Sequence, residues 1–263
     1  MPFPEKQRII FKKNPLDQVI CQLRFPPILK IDTEIPADFQ EEIREHFPNF
    51  SESTEVNIEI TQQTKPPIPP EVLQQLIKPG NKNYEFKSDD GLWKINLTRT
   101  FIALSASKYE QWEKFKEKLS IPLKPFIDIY NPSYFSRIGL RYIDIIRRSA
   151  LNLNDISWRE LFNPFILGLL GSEEIGDSVI NLDNKYELKL SDKESIVRII
   201  TGFVHAADND EIFYMIDSDF FNTNKTPIDK ALIKLDFFNT LGSRLIQWCI
   251  TEKLYKAMEP EKI

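Results

Sequence analysis

The chain has 263 residues, with 34 Lys and Arg against 39 Asp and Glu for a net charge of −5, and 41% of it is hydrophobic. That balance fits one large globular domain or two small ones packed together, and it excludes disordered and collagen-like classes. The apolar runs are too short for a bilayer, and the opening MPFPEKQRII lacks the apolar core and small-residue cleavage site of a signal peptide. A cytoplasmic protein without membrane association is expected. Cys21 and Cys249 both sit in apolar segments and read as buried free thiols in a reducing compartment.

The first strand falls at Gln18 to Phe25, where Val19, Cys21, Leu23 and Phe25 alternate with Ile20, Gln22 and Arg24 before Pro26 and Pro27 stop the ladder. Phe39, Ile43 and Phe47 recur at helical spacing between Pro36 and Pro48. Val56 to Ile60 alternates as a strand, and residues 64–80 read as a proline-rich surface connection. Tyr84–Lys87, Leu92–Arg99 and Phe101–Ser107 then form a meander that turns at Ser88 to Gly91. A long helix follows over Tyr109 to Tyr130, which Pro122 and Pro125 are expected to bend or restart.

The same order then recurs. A strand at Arg137–Ile146 precedes a helix at Trp158–Leu170 and three strands at Lys185–Leu190, Ile196–Ala206 and Ile212–Phe221. A closing helix spans Pro227 to Met258, softened midway at Gly242. The expected class is α+β, built from two similar β-α-β-β-β-α halves, 1–131 and 132–263. Their curved antiparallel sheet carries the two long helices on one face, which leaves the other free for a ligand or partner. Leu23-Arg24-Phe25 and Leu140-Arg141-Tyr142 mark equivalent first strands.

Chemistry-bearing motifs are few. Neither GxGxxG nor GxxxxGK[ST] occurs, which removes the usual dinucleotide and P-loop readings. With two His and two Cys, a Cys/His zinc site has almost nothing to be built from. No catalytic residue, resident metal or cofactor is assigned. Four arginines fall within predicted strands: Arg24, Arg99, Arg141 and Arg198. They offer guanidinium forks to a carboxylate or phosphate, or else pair internally with Asp144, Asp217 or Asp219. Arg24 and Arg141, at corresponding positions of the two halves, lead as binding residues.

Asp217 and Asp219 point to one side of a strand and supply the alternative reading, a carboxylate–metal hydrolase or nuclease. His205 ends an apolar strand without a nucleophile beside it, and His46 lies on an acidic helix. Nucleic-acid binding is not expected. Residues 1–131 carry 18 basic and 19 acidic groups, residues 132–263 carry 16 and 20, and the lysines of 108–124 alternate with glutamates.

Three segments, NPLDQVICQLRFPPIL (14–29), FSRIGLRYIDII (135–146) and WCITEKLYKAM (248–258), resemble the markers of a sporadically distributed family of bacterial proteins whose function is not assigned. YMIDSDFF (214–221) is similar to the family's hydrophobic D-x-D strand. Members often carry a His in the closing helix where Asn239 stands here, so no role of that His transfers. The resemblance spans nearly the whole chain and implies an accessory role in defence, regulation or toxin neutralisation. Together the residues lead to a non-catalytic recognition or adaptor protein that binds another protein or a small anionic ligand. Oligomeric state is not legible.

Overall fold

Alternation of apolar and polar residues decides which face each strand presents. The structure, a computed structural model, describes residues 2–54, 57–58, 77–78, 82–205 and 211–262. In chain order its strands are β1 (Ile9–Phe11), β2 (Leu16–Arg24), β3 (Asn49–Thr54), β4 (Asn57–Ile58), β5 (Ile77–Lys78), β6 (Lys82–Lys87), β7 (Trp93–Leu97), β8 (Phe101–Ala106), β9 (Arg137–Ile146), β10 (Asp183–Lys189), β11 (Ile196–His205), β12 (Ile212–Asn222) and β13 (Pro260–Lys262). Nine of them form one curved antiparallel sheet in the order β10-β11-β12-β9-β2-β8-β7-β6-β3.

At its centre β2 and β9 run side by side, with Val19 opposite Tyr142, Cys21 opposite Leu140 and Leu23 opposite Ile138. Outward from this pair the order is the same on both sides: β8, β7, β6 beyond β2, and β12, β11, β10 beyond β9. The strands at 18–25 and 137–146 thus hold equivalent places.

One face of the sheet is covered by helices. These are α1 (Lys30–Thr33), α2 (Ala37–Ile43), α3 (Trp112–Tyr130), α4 (Trp158–Leu161), α5 (Pro164–Leu167), α6 (Ala231–Cys249) and α7 (Glu252–Ala257). On α3, Trp112, Phe115, Leu119, Leu123 and Phe126 make a buried stripe; on α6, Leu235, Phe238, Leu241 and Leu245 do the same. Gly242 does not interrupt α6. A Cβ there would sit 2.7 Å from the Tyr142 ring, so glycine lets the helix lie directly on β9.

Several expectations are corrected. The long helix at 112–130 is a single element that runs through both prolines, and it ends on Asn131 in the left-handed region with φ 42°. The helix expected over 158–170 is two four-residue helices followed by a 3₁₀ turn, and the closing helix breaks at Ile250. Both breaks have one cause. The extended link between α4 and α5 docks on the end of α6: Asn163 donates from its backbone to Cys249 O at 2.8 Å and from Nδ2 to Trp248 O at 2.7 Å. Thr251 donates to Leu161 O at 2.9 Å. Carbonyls that a longer helix would satisfy internally are satisfied by this link.

A strand appears at Asn49–Thr54, upstream of the expected one at Val56 to Ile60, of which only Asn57–Ile58 are described. Most of the proline-rich stretch 64–80 lies outside the described residues. Leu92–Arg99 is shorter than expected, so Arg99 falls in the turn between β7 and β8. The β1–β13 ribbon was not foreseen.

Pro125 sits partly exposed inside α3, where it removes a backbone donor. Pro125→Ala is expected to raise stability by about 1–3 kcal/mol. Buried Pro122, changed likewise, should gain less because its ring also fills core space. Thermal melts of the two variants check the order.

Candidate functional site

The other face of the sheet, free of helices among the described residues, is read most simply as rows across the strands. Ile20, Arg141, Asp219, Arg198 and Glu187 form one row, and Gln18, Ile143, Asp217, Ile200 and Lys185 the next. Arg141 grips Asp217 with both arms of its fork, Nε to Oδ1 at 2.7 Å and Nη2 to Oδ2 at 2.5 Å. Arg198 pairs with Glu187 at 2.8 Å. Away from this face, Arg99 pairs with Asp32 at 3.2 Å, while Arg99 Nε and Asp32 Oδ1 stay buried without partners among the described residues. Among the described residues Arg24 alone of the four has no carboxylate: its Nε donates to Gln22 Oε1 at 3.1 Å and the side chain is exposed.

Arg137, not singled out from the sequence, completes the cluster. It binds Asp219 at 2.8 Å, reaches the same Gln22 Oε1 at 3.2 Å and lies 4.9 Å from the Phe221 ring centre. Its guanidinium occupies the space a side chain at Gly139 would fill, since a Cβ there would lie 2.2 Å from Nη1. The signal was in the sequence: Arg137 and Arg141 share parity in one strand.

The two aspartates of the D-x-D strand do lie on one face, each held by an arginine. A cation placed there would meet guanidinium groups already bonded to both carboxylates, which disfavours the metal reading. Among the described residues no group of three or more His, Cys, Asp or Glu is placed to hold a metal ion. His205 is exposed at the end of β11. Cys21 and Cys249 are buried, and burial pushes both thiols up, Cys21 to about 12, so neither is a ready nucleophile. Lys12 and Lys13 pair with Glu261 and Glu259, and Lys116 with Asp236. No described helix is long and apolar enough to cross a membrane.

Asp144, named among the candidate partners of the strand arginines, faces the opposite way, into the helical layer. It lines a cavity of about 100 Å³ walled by Arg8, β1, Leu16, Tyr109, Trp112, Tyr142 and Asn239. The residue is 7% exposed, and among the described residues nothing donates a hydrogen bond to its carboxylate. Nearby groups are spoken for. Tyr142 and Tyr109 donate to Asn239 Oδ1 at 3.0 and 3.4 Å, Trp112 Nε1 donates to Asp236 at 2.7 Å, and Arg8 pairs with Glu113 at 2.5 Å. Glu110, at the rim, pairs with Lys114.

Desolvation, with a smaller push from Asp217 across the sheet, raises the Asp144 carboxyl to about 7. Its folded value therefore exceeds its ordinary 3.8. The native state holds this proton more tightly, so stability declines as pH rises from about 4 through about 7 and levels off above. Asp144→Asn, neutral at every pH, should melt higher than wild type above pH 7 and lose that advantage toward pH 4. Paired melts across that range test the sign.

Arg24→Gln should leave stability almost unchanged, because an exposed guanidinium contributes little. Arg141→Gln strands Asp217, a residue 5% exposed, and should cost about 1–3 kcal/mol. Chemical denaturation of the two variants separates these cases.

No family model matches the chain, and no curated protein matches it.

Proposed function

We propose that the protein is a non-catalytic recognition protein that holds another protein on the helix-free face of its sheet. The observation that carries this reading is the pair of arginine–aspartate bridges at the sheet centre, Arg137–Asp219 and Arg141–Asp217, set beside half-buried Ile20, Ile143 and Ile200. Long charged side chains already fixed by hydrogen bonds to both oxygens of a carboxylate lose little further freedom on docking. Apolar patches between such bridges offer area to bury, and the fully buried core of an interface favours that mixture of arginine and apolar groups.

A small anion is the weaker occupant. Arg141, Arg198 and Arg99 each hold a carboxylate of the same chain, and among the described residues Arg24 alone of the four has no carboxylate, only Gln22. A cytoplasmic accessory role, in defence, regulation or toxin neutralisation, goes with the family resemblance and belongs to the same proposal.

Affinity capture from the native host tests it with three baits: wild type, Arg24→Glu/Ile143→Glu on the open face, and Lys124→Glu on the exposed side of α3. A protein retained by wild type and Lys124→Glu, and reduced at least tenfold with the double variant, is expected. Equal capture by all three baits, or capture by none, would refute the sheet-face reading.

A further inference from the structure

The Asp144 cavity is independent of the open face and raises a separate question. A carboxylate removed from water without a hydrogen bond or counter-ion is unfavourable by several kcal/mol. Here it is nine-tenths buried and lines a cavity, so a donor arriving from outside would recover what folding leaves unsatisfied.

The walls restrict what that donor is. Tyr109, Tyr142 and Trp112 line the cavity, and aromatic walls favour a cation over a neutral donor. Among the described residues that line the cavity Arg8 is the one cation, and it is bound to Glu113 rather than to Asp144. Asn239 Oδ1 already accepts from both tyrosines. An anion would face an uncompensated carboxylate and is excluded. The space, about 100 Å³, is somewhat smaller than cavities of about 150 Å³ that hold a six-membered ring.

We infer that this cavity binds a small primary ammonium ion, with Asp144 as its counter-ion and the rings of Tyr109 and Tyr142 against its alkyl portion. An incoming ammonium favours the ionised carboxylate and so displaces the proton that burial retains on it. The groups facing Asp144 from the surrounding elements are Tyr142 on β9, Tyr109 and Glu110 before α3, Arg8 before β1, Cys249 on α6 and, across the sheet, Asp217. Of these, Tyr109, Tyr142 and Cys249 all have their protons held more firmly by burial. Asp144 is therefore the group whose proton an ammonium would release near neutral pH.

The test is calorimetric titration with n-butylammonium chloride, using 1-butanol as the neutral isostere. Wild type should bind the ammonium at pH 8, at least tenfold more tightly than the alcohol, with affinity falling as pH is lowered to 5. At pH 6, measurements in two buffers of different ionisation enthalpy should show proton release on binding. Asp144→Asn, expected to remain folded by its melt, should lose at least tenfold in ammonium affinity and release no proton. No heat with wild type at pH 8, equal binding of alcohol and ammonium, or unchanged binding by D144N would each overturn the assignment. The wild-type comparison of alcohol, ammonium and pH decides the matter even if the variant misfolds.

Discussion

The pairing of β2 with β9 is the constraint on which the rest depends, because those two strands join the two arms of the sheet and no other strand of either arm crosses the centre. Their register places Cys21 against Leu140 in the core and Arg24 against Arg137 outside it. A slip of one residue would exchange the faces, sending guanidinium groups under the helices and Tyr142 into water. Two arginines directly opposite would ordinarily repel. Gln22 offsets this by accepting from both, and Asp219 neutralises Arg137.

The same short stretch of β9 sets up both sides of the molecule. Residues of odd number carry Arg137, Gly139 and Arg141 to the open face; those of even number carry Ile138, Leu140, Tyr142 and Asp144 to the helices. Two glycines make room for this. Gly139 yields its space to the Arg137 guanidinium, and Gly242, across on α6, yields to the Tyr142 ring. Charge is handled oppositely on the two faces. Outside, acids and bases meet in pairs; inside, Asp144 has no partner among the described residues. A destabilising carboxylate of that kind is characteristic of positions kept for binding rather than for folding.

Much of this was legible in the chain. Period-2 alternation located β2, β9, β11 and β12 within a residue or two, and the recurrence of Phe115, Leu119, Leu123 and of Leu235, Phe238, Leu241 marked the two long helices. What failed was decided at a distance. Nothing near Ile250 says that the helix stops there; the reason is Asn163, 87 residues earlier. Prolines 122 and 125 read as points of bending or restart because local chemistry cannot report the packing that keeps α3 a single element through them. At the site, parity alone could have added Arg137 to the arginines and removed Asp144 from their list of partners. The cavity itself could not be read, since its walls come from residues 8–16, 109–112, 142–144 and 239–246, which only the fold brings together.

One wall of that cavity is β1, which pairs with β13 in a ribbon. The ribbon consists of three residues from each strand, flanked by exposed bridges from Lys12 to Glu261 and from Lys13 to Glu259. Short, solvent-exposed ribbons open at a small fraction of the free energy of global unfolding. Opening of that ribbon is thus separate from the integrity of the nine-stranded sheet. Because ionic screening weakens exposed bridges but hardly touches a packed core, dissolved salt acts on the bridges that flank the ribbon and spares the sheet's core.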